Sequence, residues 1–164
     1  MELQIIPKSE NMPVFDSQAM KLQHIAYFAP PYKEYEREEI TEAVISEILE
    51  KIPSGINIYL SLIPYGEDDW LEVNCDGEWI SLGFSGHSGQ NNYYSYNSAF
   101  AHTADQIAEA DFSDRSIYTS LNSGGQSPIP KIQAITDIEA GMRAVEYFIR
   151  TGKFYPGIDW LHEF

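Results

Sequence analysis

The sequence predicts an α+β fold in which helices pack against a single antiparallel β-sheet. Two hydrophobic periods occur in separate stretches, one of two residues and one of three to four. Residues 56–62 and 70–84 alternate, whereas 36–51 and 137–150 repeat at helical spacing. Such segments assemble naturally into a sheet with helices on a face. We expect about five to six strands in a meander and two main helices.

The first half of the chain is expected to supply two of the strands and the first helix. Residues 1–20 show no period and should lie on the surface, and 21–28 alternates as a strand does. The helix over 36–51 should end before Gly55, in a Pro-Ser-Gly stretch. Residues 56–62 then read as a half-buried strand.

Residues 70–84 give the clearest local signal, a β-hairpin with a two-residue turn at Asp76-Gly77. Pairing Cys75 with Glu78 would place the apolar side chains of both strands on one face. Cys75 is the single cysteine, so no disulfide within the chain is possible, and we expect a buried structural thiol. The other face would carry Glu72, Asn74, Trp79 and Ser81.

The second half should add a short helix, two strands and the final helix. Thr103 begins a capping-box pattern, 116–121 reads as a strand, and the prolines at 128–130 suggest an edge position. Thr136 opens a second capping box before the helix over 137–150. Gly152 is placed to form its left-handed cap.

The chain length of 164 residues suits one domain, and no repeat or linker divides 1–164. The first residues lack a basic leader before an apolar run, and no apolar stretch approaches the roughly 20 residues of a membrane span. With one cysteine and no disulfide, these features favour a cytoplasmic protein.

The charge balance limits the choice of partners. With 10 basic and 25 acidic residues the net charge is −15. Nucleic acids and anionic membranes would be repelled, because phosphate binding needs a basic surface. The charge either serves solubility alone or steers a basic partner toward the protein.

Residues 85–101 are rich in tyrosine, serine, glycine and asparagine, a composition typical of protein-binding surfaces. A loop of this length inside a domain is usually functional or disordered. The alternatives are a flexible insertion or a polar edge strand. Tyr94 and Tyr96 would share one side of an extended segment, and Tyr93 would point to the other.

We expect two groups of residues to be candidates for contact with a partner protein. The first comprises Tyr93, Tyr94 and Tyr96, with Asp111 and Asp114 in an acidic rim. The second possible location comprises Glu67, Asp68, Asp69 and Trp79.

No motif for catalysis, for a cofactor or for a metal ion emerges from the sequence. Residues 86–90 superficially resemble a serine-hydrolase elbow around Ser88, but Gln90 replaces the second glycine and no helix is expected to follow. The four histidines lack metal-ligand spacing. Three adjacent acids at 67–69 lack the calcium-loop pattern. We therefore expect a protein that is not an enzyme.

The C-terminal third resembles immunity protein family 1 of bacterial polymorphic toxin systems, which include contact-dependent growth inhibition. The resemblance lies in Ile129-Pro130, the helix from Thr136 to Gly152, and Pro156-Gly157-Ile158-Asp159-Trp160. It is good over 128–161, fair over 56–84 and absent over 1–20 and 85–114. The matched residues look structural and mark no binding site.

The resemblance implies an immunity protein that neutralises one cognate toxin, often a deaminase or nuclease. It would act by capping the toxin in a 1:1 heterodimer, and the free protein is expected to be a monomer. Two alternatives remain open: a general protein-interaction module without a toxin partner, and a hydrolase that uses Ser88. The gene order separates the first two, because a toxin gene should lie directly upstream of an immunity gene.

Overall fold

The computed structural model describes residues 2–29, 31–64 and 68–164, which form an α+β fold built on antiparallel sheets. The strands are β1 (Leu3–Ile6), β2 (Leu22–Phe28), β3 (Lys33–Glu36), β4 (Ile58–Pro64), β5 (Trp70–Cys75), β6 (Ile80–Gly86), β7 (Asn91–Ser95), β8 (Tyr118–Ser123), β9 (Ser127–Pro130) and β10 (Trp160–Glu163). The main sheet has the order β1-β10-β7-β6-β5-β4-β2-β3, and β8 and β9 form a separate two-stranded sheet.

The predicted fold class is confirmed, but the strand count of five to six was too low for the eight-stranded main sheet. The meander runs from β4 to β7, and all neighbouring strands are antiparallel. Three missed strands, β1, β3 and β10, have four residues each. So short a strand gives little alternation to read, and pairing with a neighbour decides whether it forms.

The helices are α1 (Glu42–Lys51), α2 (Ala104–Ala108) and α3 (Ile138–Thr151). The helix predicted from residue 36 starts later, because Glu36 and Glu39 cap a separate 3-10 turn and Thr41 caps α1. The capping residue of α3 is Asp137 and not Thr136, since the Asp137 side chain accepts from the Ala140 amide. Gly152 adopts the left-handed cap as predicted, with φ of 70°.

The hydrophobic core lies between one face of the main sheet and the two long helices. Ile45 and Ile48 of α1 and Val145, Phe148 and Ile149 of α3 are buried in it. On the sheet side, the buried residues come from alternate positions of β2, β4, β5 and β6. The helices and this sheet face therefore bury one continuous apolar layer.

The two long helices are also joined by an ion pair. Arg150 of α3 is 5% exposed, and its guanidinium donates to both carboxylate oxygens of Glu42 on α1, at 2.8 and 2.7 Å. Arg150 also donates to the Ala19 carbonyl, so the segment before β2 is held against α3. The Arg150 hydrogen bonds lower the pKa of Glu42 below its ordinary value.

The predicted 70–84 hairpin forms, but its register differs. Cys75 pairs with Ile80, not with Glu78, and Val73 pairs with Leu82. The turn is longer than two residues because the Asp76 carboxylate accepts from the amides of Glu78 and Trp79. The predicted division of faces survives, since a shift by two residues preserves the alternation.

Cys75 is buried as predicted, and it is 1% exposed. Burial and, to a smaller extent, the neighbouring Asp76 charge raise the pKa of its thiol to about 12. The thiol is therefore protonated and inert at neutral pH.

The expectation of a long loop over 85–101 was wrong. Asn91–Ser95 is β7, an internal strand between β6 and β10, which also excludes the edge-strand alternative. Only a short turn, 87–90, separates β6 from β7. The polar composition reflects a strand that has one face turned away from the two long helices.

Within the described ranges, no helix has both the length and the apolar character that crossing a membrane requires.

The close approach of α3 to β6 yields a prediction on stability. A methyl group added at Gly141 would lie 2.5 Å from Cγ2 of Ile80, so α3 or the Ile80 side chain would have to shift. We expect Gly141→Ala to lower the free energy of unfolding by about 1–3 kcal/mol, as overpacking does. Urea denaturation followed by circular dichroism measures the change.

Gly83→Ala is the matched control, because a methyl there would meet Tyr94 at 3.5 Å, an ordinary contact. We expect its stability to stay within about 0.5 kcal/mol of the unsubstituted protein. Equal stability of Gly141→Ala and Gly83→Ala would contradict the packing of α3 on β6.

Candidate protein-binding face

The face of the main sheet opposite α1 and α3, here called the open face, is mostly polar at its centre. Strand pairing places its side chains in cross-strand rows. One row runs Ala26, Ser61, Glu72, Gly83 and Tyr94. A second row contains Phe28, Tyr59, Asn74 and Ser81.

The β8–β9 hairpin lies on part of the open face and is held there by polar side chains. Ser123 Oγ donates to Glu72 Oε1 at 2.5 Å, and the Gly124 amide donates to Asn74 Oδ1 at 3.4 Å. Ser120 Oγ donates to the Asp76 carboxylate. The polar residues of the open face therefore act as acceptors for the hairpin.

Asp76 links the β5–β6 turn to that hairpin. Burial opposes its ionisation, but hydrogen bonds from Ser120 and from the amides of Trp79 and Glu78 outweigh this effect. The pKa of Asp76 is consequently below the ordinary value for aspartate.

Trp79, one of the predicted contact residues, is buried beneath the hairpin. It is 9% exposed and packs in a small cluster with Leu121, Ile129 and Ala134. It lies on the open face as predicted, but its burial leaves little of the indole available for contact, and its role in an interface stays a prediction. The β8–β9 hairpin and the segment after it cover the indole, which local sequence could not reveal.

Beside the hairpin, the open face forms an aromatic groove of about 580 Å³. Phe28, Tyr59, Trp70 and Glu72 line it from the main sheet, and the β8–β9 turn, 123–126, lines the other side. Phe28 and Trp70 are 47% and 39% exposed. The volume lies in the range of ligand-binding clefts.

The aromatic side chains of this groove support one another. The Phe28 ring lies 5.0 Å from the Tyr59 ring and 4.4 Å from Tyr32, between centroids. Gly124 lies close to the Tyr59 ring, since a methyl group added at Gly124 would lie 3.8 Å from the ring. Two exposed aromatic residues, Phe28 and Trp70, thus line the same groove as one carboxylate, and Tyr32 packs against Phe28 from outside the groove.

Glu72 is that carboxylate, and it is half-buried in the groove. Asn74 Nδ2 and Ser123 Oγ both donate to its Oε1. No lysine, arginine or histidine of the described ranges forms an ion pair with it. Burial, followed by the Glu72 charge, raises the pKa of Tyr59 above its ordinary value.

The three tyrosines predicted as contacts have different environments. Tyr93 faces the helices and packs against Phe84, Phe154 and the His162 ring, which is stacked on it at 4.1 Å. Tyr94 points to the open face over Gly83 and is half-buried. Burial, then the charges of Glu163 and Glu72, raises its pKa.

Tyr96, predicted as a contact residue, is buried and offers little surface to a partner. It is 3% exposed and belongs to a buried cluster with Ile107, Ile132 and Leu161, and its hydroxyl donates to the Ala101 carbonyl. Alternation along the chain places Tyr96 on the same side as Tyr94. It does not show that α2 and the segment 131–134 cover this end of the open face. Tyr96 is therefore a core residue, and Tyr94 packs at the edge of its cluster.

The predicted acidic residues are mostly engaged in local turns. Asp111 accepts from the amide and hydroxyl of Ser113, and Asp114 accepts from those of Ser116. These hydrogen bonds lower the pKa of both carboxylates. Both residues remain exposed.

Asp69, of the second predicted group, lies next to the β6–β7 turn. Asp69 accepts from the His87 amide at 3.3 Å, and Asp68 is exposed with φ of 60°. Glu67 lies outside the described residues. Asp68 and Asp69 directly precede Trp70, which lines the aromatic groove.

Ser88, considered for a hydrolase, lies on the exposed turn between two strands, with φ of 57°. A nucleophile elbow requires a turn from a strand into a helix. In the part of the chain that the structure describes, no group of three or more His, Cys, Asp or Glu side chains could hold a metal ion.

The sequence interpretation did not identify the aromatic groove. Phe28, Tyr59 and Trp70 were assigned to strands, but Tyr32 follows a proline pair and gave no pattern. The sequence did contain one signal for the groove, an aromatic residue, Tyr59, at a position that alternation assigns to the polar face of a strand. Their convergence depends on β2 lying beside β4.

Comparisons with protein-family models, with curated proteins and with solved structures found no match to this chain.

The Asp76 hydrogen bonds predict a pH-dependent contribution to stability. At pH 7 we expect Asp76→Ala to lower the free energy of unfolding by about 1–2 kcal/mol, because a charged acceptor is removed. Since folding lowers the Asp76 pKa, this contribution exists above the unfolded pKa and is lost as the pH falls through the folded value. The difference should therefore shrink below about pH 4.

Urea denaturation at several pH values tests this expectation. Glu78→Ala is the control, since it removes an exposed acid from the same turn. An effect of Asp76→Ala that is the same at pH 7 and pH 3 would rule out the charge as its cause.

Proposed function

We propose that this protein is an immunity protein that neutralises a cognate polymorphic toxin by stoichiometric capping. The observation that carries the proposal is the aromatic groove on the open face, which combines exposed rings with a half-buried carboxylate that has no ion-pair partner among the described residues. Exposed aromatic side chains that flank a polar face are typical of surfaces that bind proteins.

The net charge of −15 supports a basic partner. Toxins that act on nucleic acids, such as deaminases and nucleases, carry basic surfaces for phosphate. An acidic inhibitor complements such a surface electrostatically. The protein would act in the cytoplasm of the cell that makes the toxin.

The C-terminal resemblance gives further support. Trp160 is buried and its indole nitrogen donates to the Tyr155 carbonyl, and Gly152 caps α3. These residues stabilise the fold, so they are consistent with a family signature that is structural. Recognition of one toxin would then depend on surfaces outside the signature.

Neutralisation is the direct test of the proposal. Co-expression with the toxin domain encoded directly upstream should restore growth, and the purified pair should form a 1:1 complex. We expect a dissociation constant in the nanomolar range or below, about −12 kcal/mol, because unbound toxin would be lethal. Growth assays, size-exclusion chromatography with light scattering and calorimetry measure these properties.

A non-cognate toxin domain is the control and should kill despite the immunity protein. Continued killing by the cognate toxin at saturating expression would refute the proposal. A tight complex without protection would instead indicate a general interaction module.

The acidic charge predicts that association with the toxin is steered electrostatically. Between about 20 and 150 mM salt we expect the on-rate to fall by about tenfold while the off-rate changes little. Stopped-flow fluorescence measures the on-rate. An on-rate that does not depend on salt would assign the acidic surface to solubility alone.

A further inference from the structure

The aromatic groove has an arrangement suited to a cationic side chain. Cations bind over the faces of aromatic rings, most strongly over tryptophan, and gain further from an adjacent carboxylate. Trp70, Tyr59 and Phe28 supply the rings, and Glu72 supplies the carboxylate. The combination occurs in one groove on a sheet whose strands fix the positions of these residues.

Glu72 has capacity for another donor. The hydrogen bonds from Asn74 and Ser123 both end on Oε1, and among the described residues no donor to Oε2 occurs. A partner that enters the groove could therefore donate to Oε2 without displacing the existing hydrogen bonds. An arginine entering the groove would pair with Oε2 while its planar guanidinium stacked on an aromatic ring.

The geometry points to the aromatic groove as the docking site for an arginine of the toxin, with Glu72 and Trp70 as its principal contacts. This inference rests on the proposed function, because the occupant is assigned to the toxin. Charge decides against a second copy of this chain, since two molecules of net charge −15 repel each other.

Two substitutions test the groove in complementary ways. Glu72→Gln removes the charge but retains an oxygen that accepts from Asn74 and Ser123. Trp70→Ala removes an exposed ring and leaves those hydrogen bonds unchanged. Should Glu72→Gln fail to fold by circular dichroism, Trp70→Ala decides the test.

Glu50→Gln is the matched control, because it makes the same charge change on the exposed side of α1, which packs on the opposite face of the main sheet. By calorimetry we expect Glu72→Gln and Trp70→Ala each to weaken the toxin complex by about tenfold or more. Glu50→Gln should change the dissociation constant by less than about twofold.

A second measurement does not depend on the toxin. We expect N-acetyl-arginine methylamide, titrated into the full chain, to shift the NMR signals of the Trp70 indole and of the Glu72 and Gly124 amides. The shifts should be lost in Glu72→Gln and retained in Glu50→Gln. N-acetyl-norleucine methylamide, which lacks the charge, should leave these signals unchanged.

The outcomes separate the two proposals. If the protein protects against the toxin but both groove variants bind it normally, the groove inference is overturned and the function stands. If there is no protection but the arginine probe binds at Trp70, the function fails and the cation site is supported. Equal binding of the norleucine probe, or a dimer that Trp70→Ala dissociates, would overturn an arginine as the occupant.

Discussion

The structure depends on one constraint: two long helices cover only one face of an eight-stranded sheet. On that face the strands contribute apolar side chains at every second position, and α1 and α3 bury them. The alternation of side chains along a strand then sends the intervening positions to the open face. Side chains on the open face therefore have a different environment, in contact with water, with the β8–β9 hairpin or, at one end, with α2 and the segment 131–134.

The β8–β9 hairpin covers only part of the open face. It is held by hydrogen bonds to Glu72, Asn74 and Asp76, all of which are acceptors presented by β5 and its turn. It buries Trp79 together with Leu121 and Ile129. Beyond its tip the sheet remains uncovered, and this is where the aromatic groove forms.

The buried cation Arg150 has a carboxylate partner, whereas the carboxylate in the groove has no cation partner among the described residues. Arg150, the buried cation, is paired with Glu42 through two hydrogen bonds and so serves the contact between α3 and α1. Glu72 has hydrogen-bond donors but no cation among the described residues. A half-buried carboxylate of this kind favours binding of an opposite charge, in agreement with the basic partner that we propose.

The sequence alone determined the α+β class, the final helix with its Gly152 cap, the 70–84 hairpin and the burial of Cys75, because each depends on periodicity or on local backbone preference. Tertiary structure decided the rest. β7 forms between β6 and β10 despite its polar residues, Tyr96 and Trp79 are covered by distant segments, and the groove joins residues from β2, β4, β5 and the β8–β9 turn. These features depend on which strands become neighbours and on what covers each face, and alternation along one strand carries no information about either.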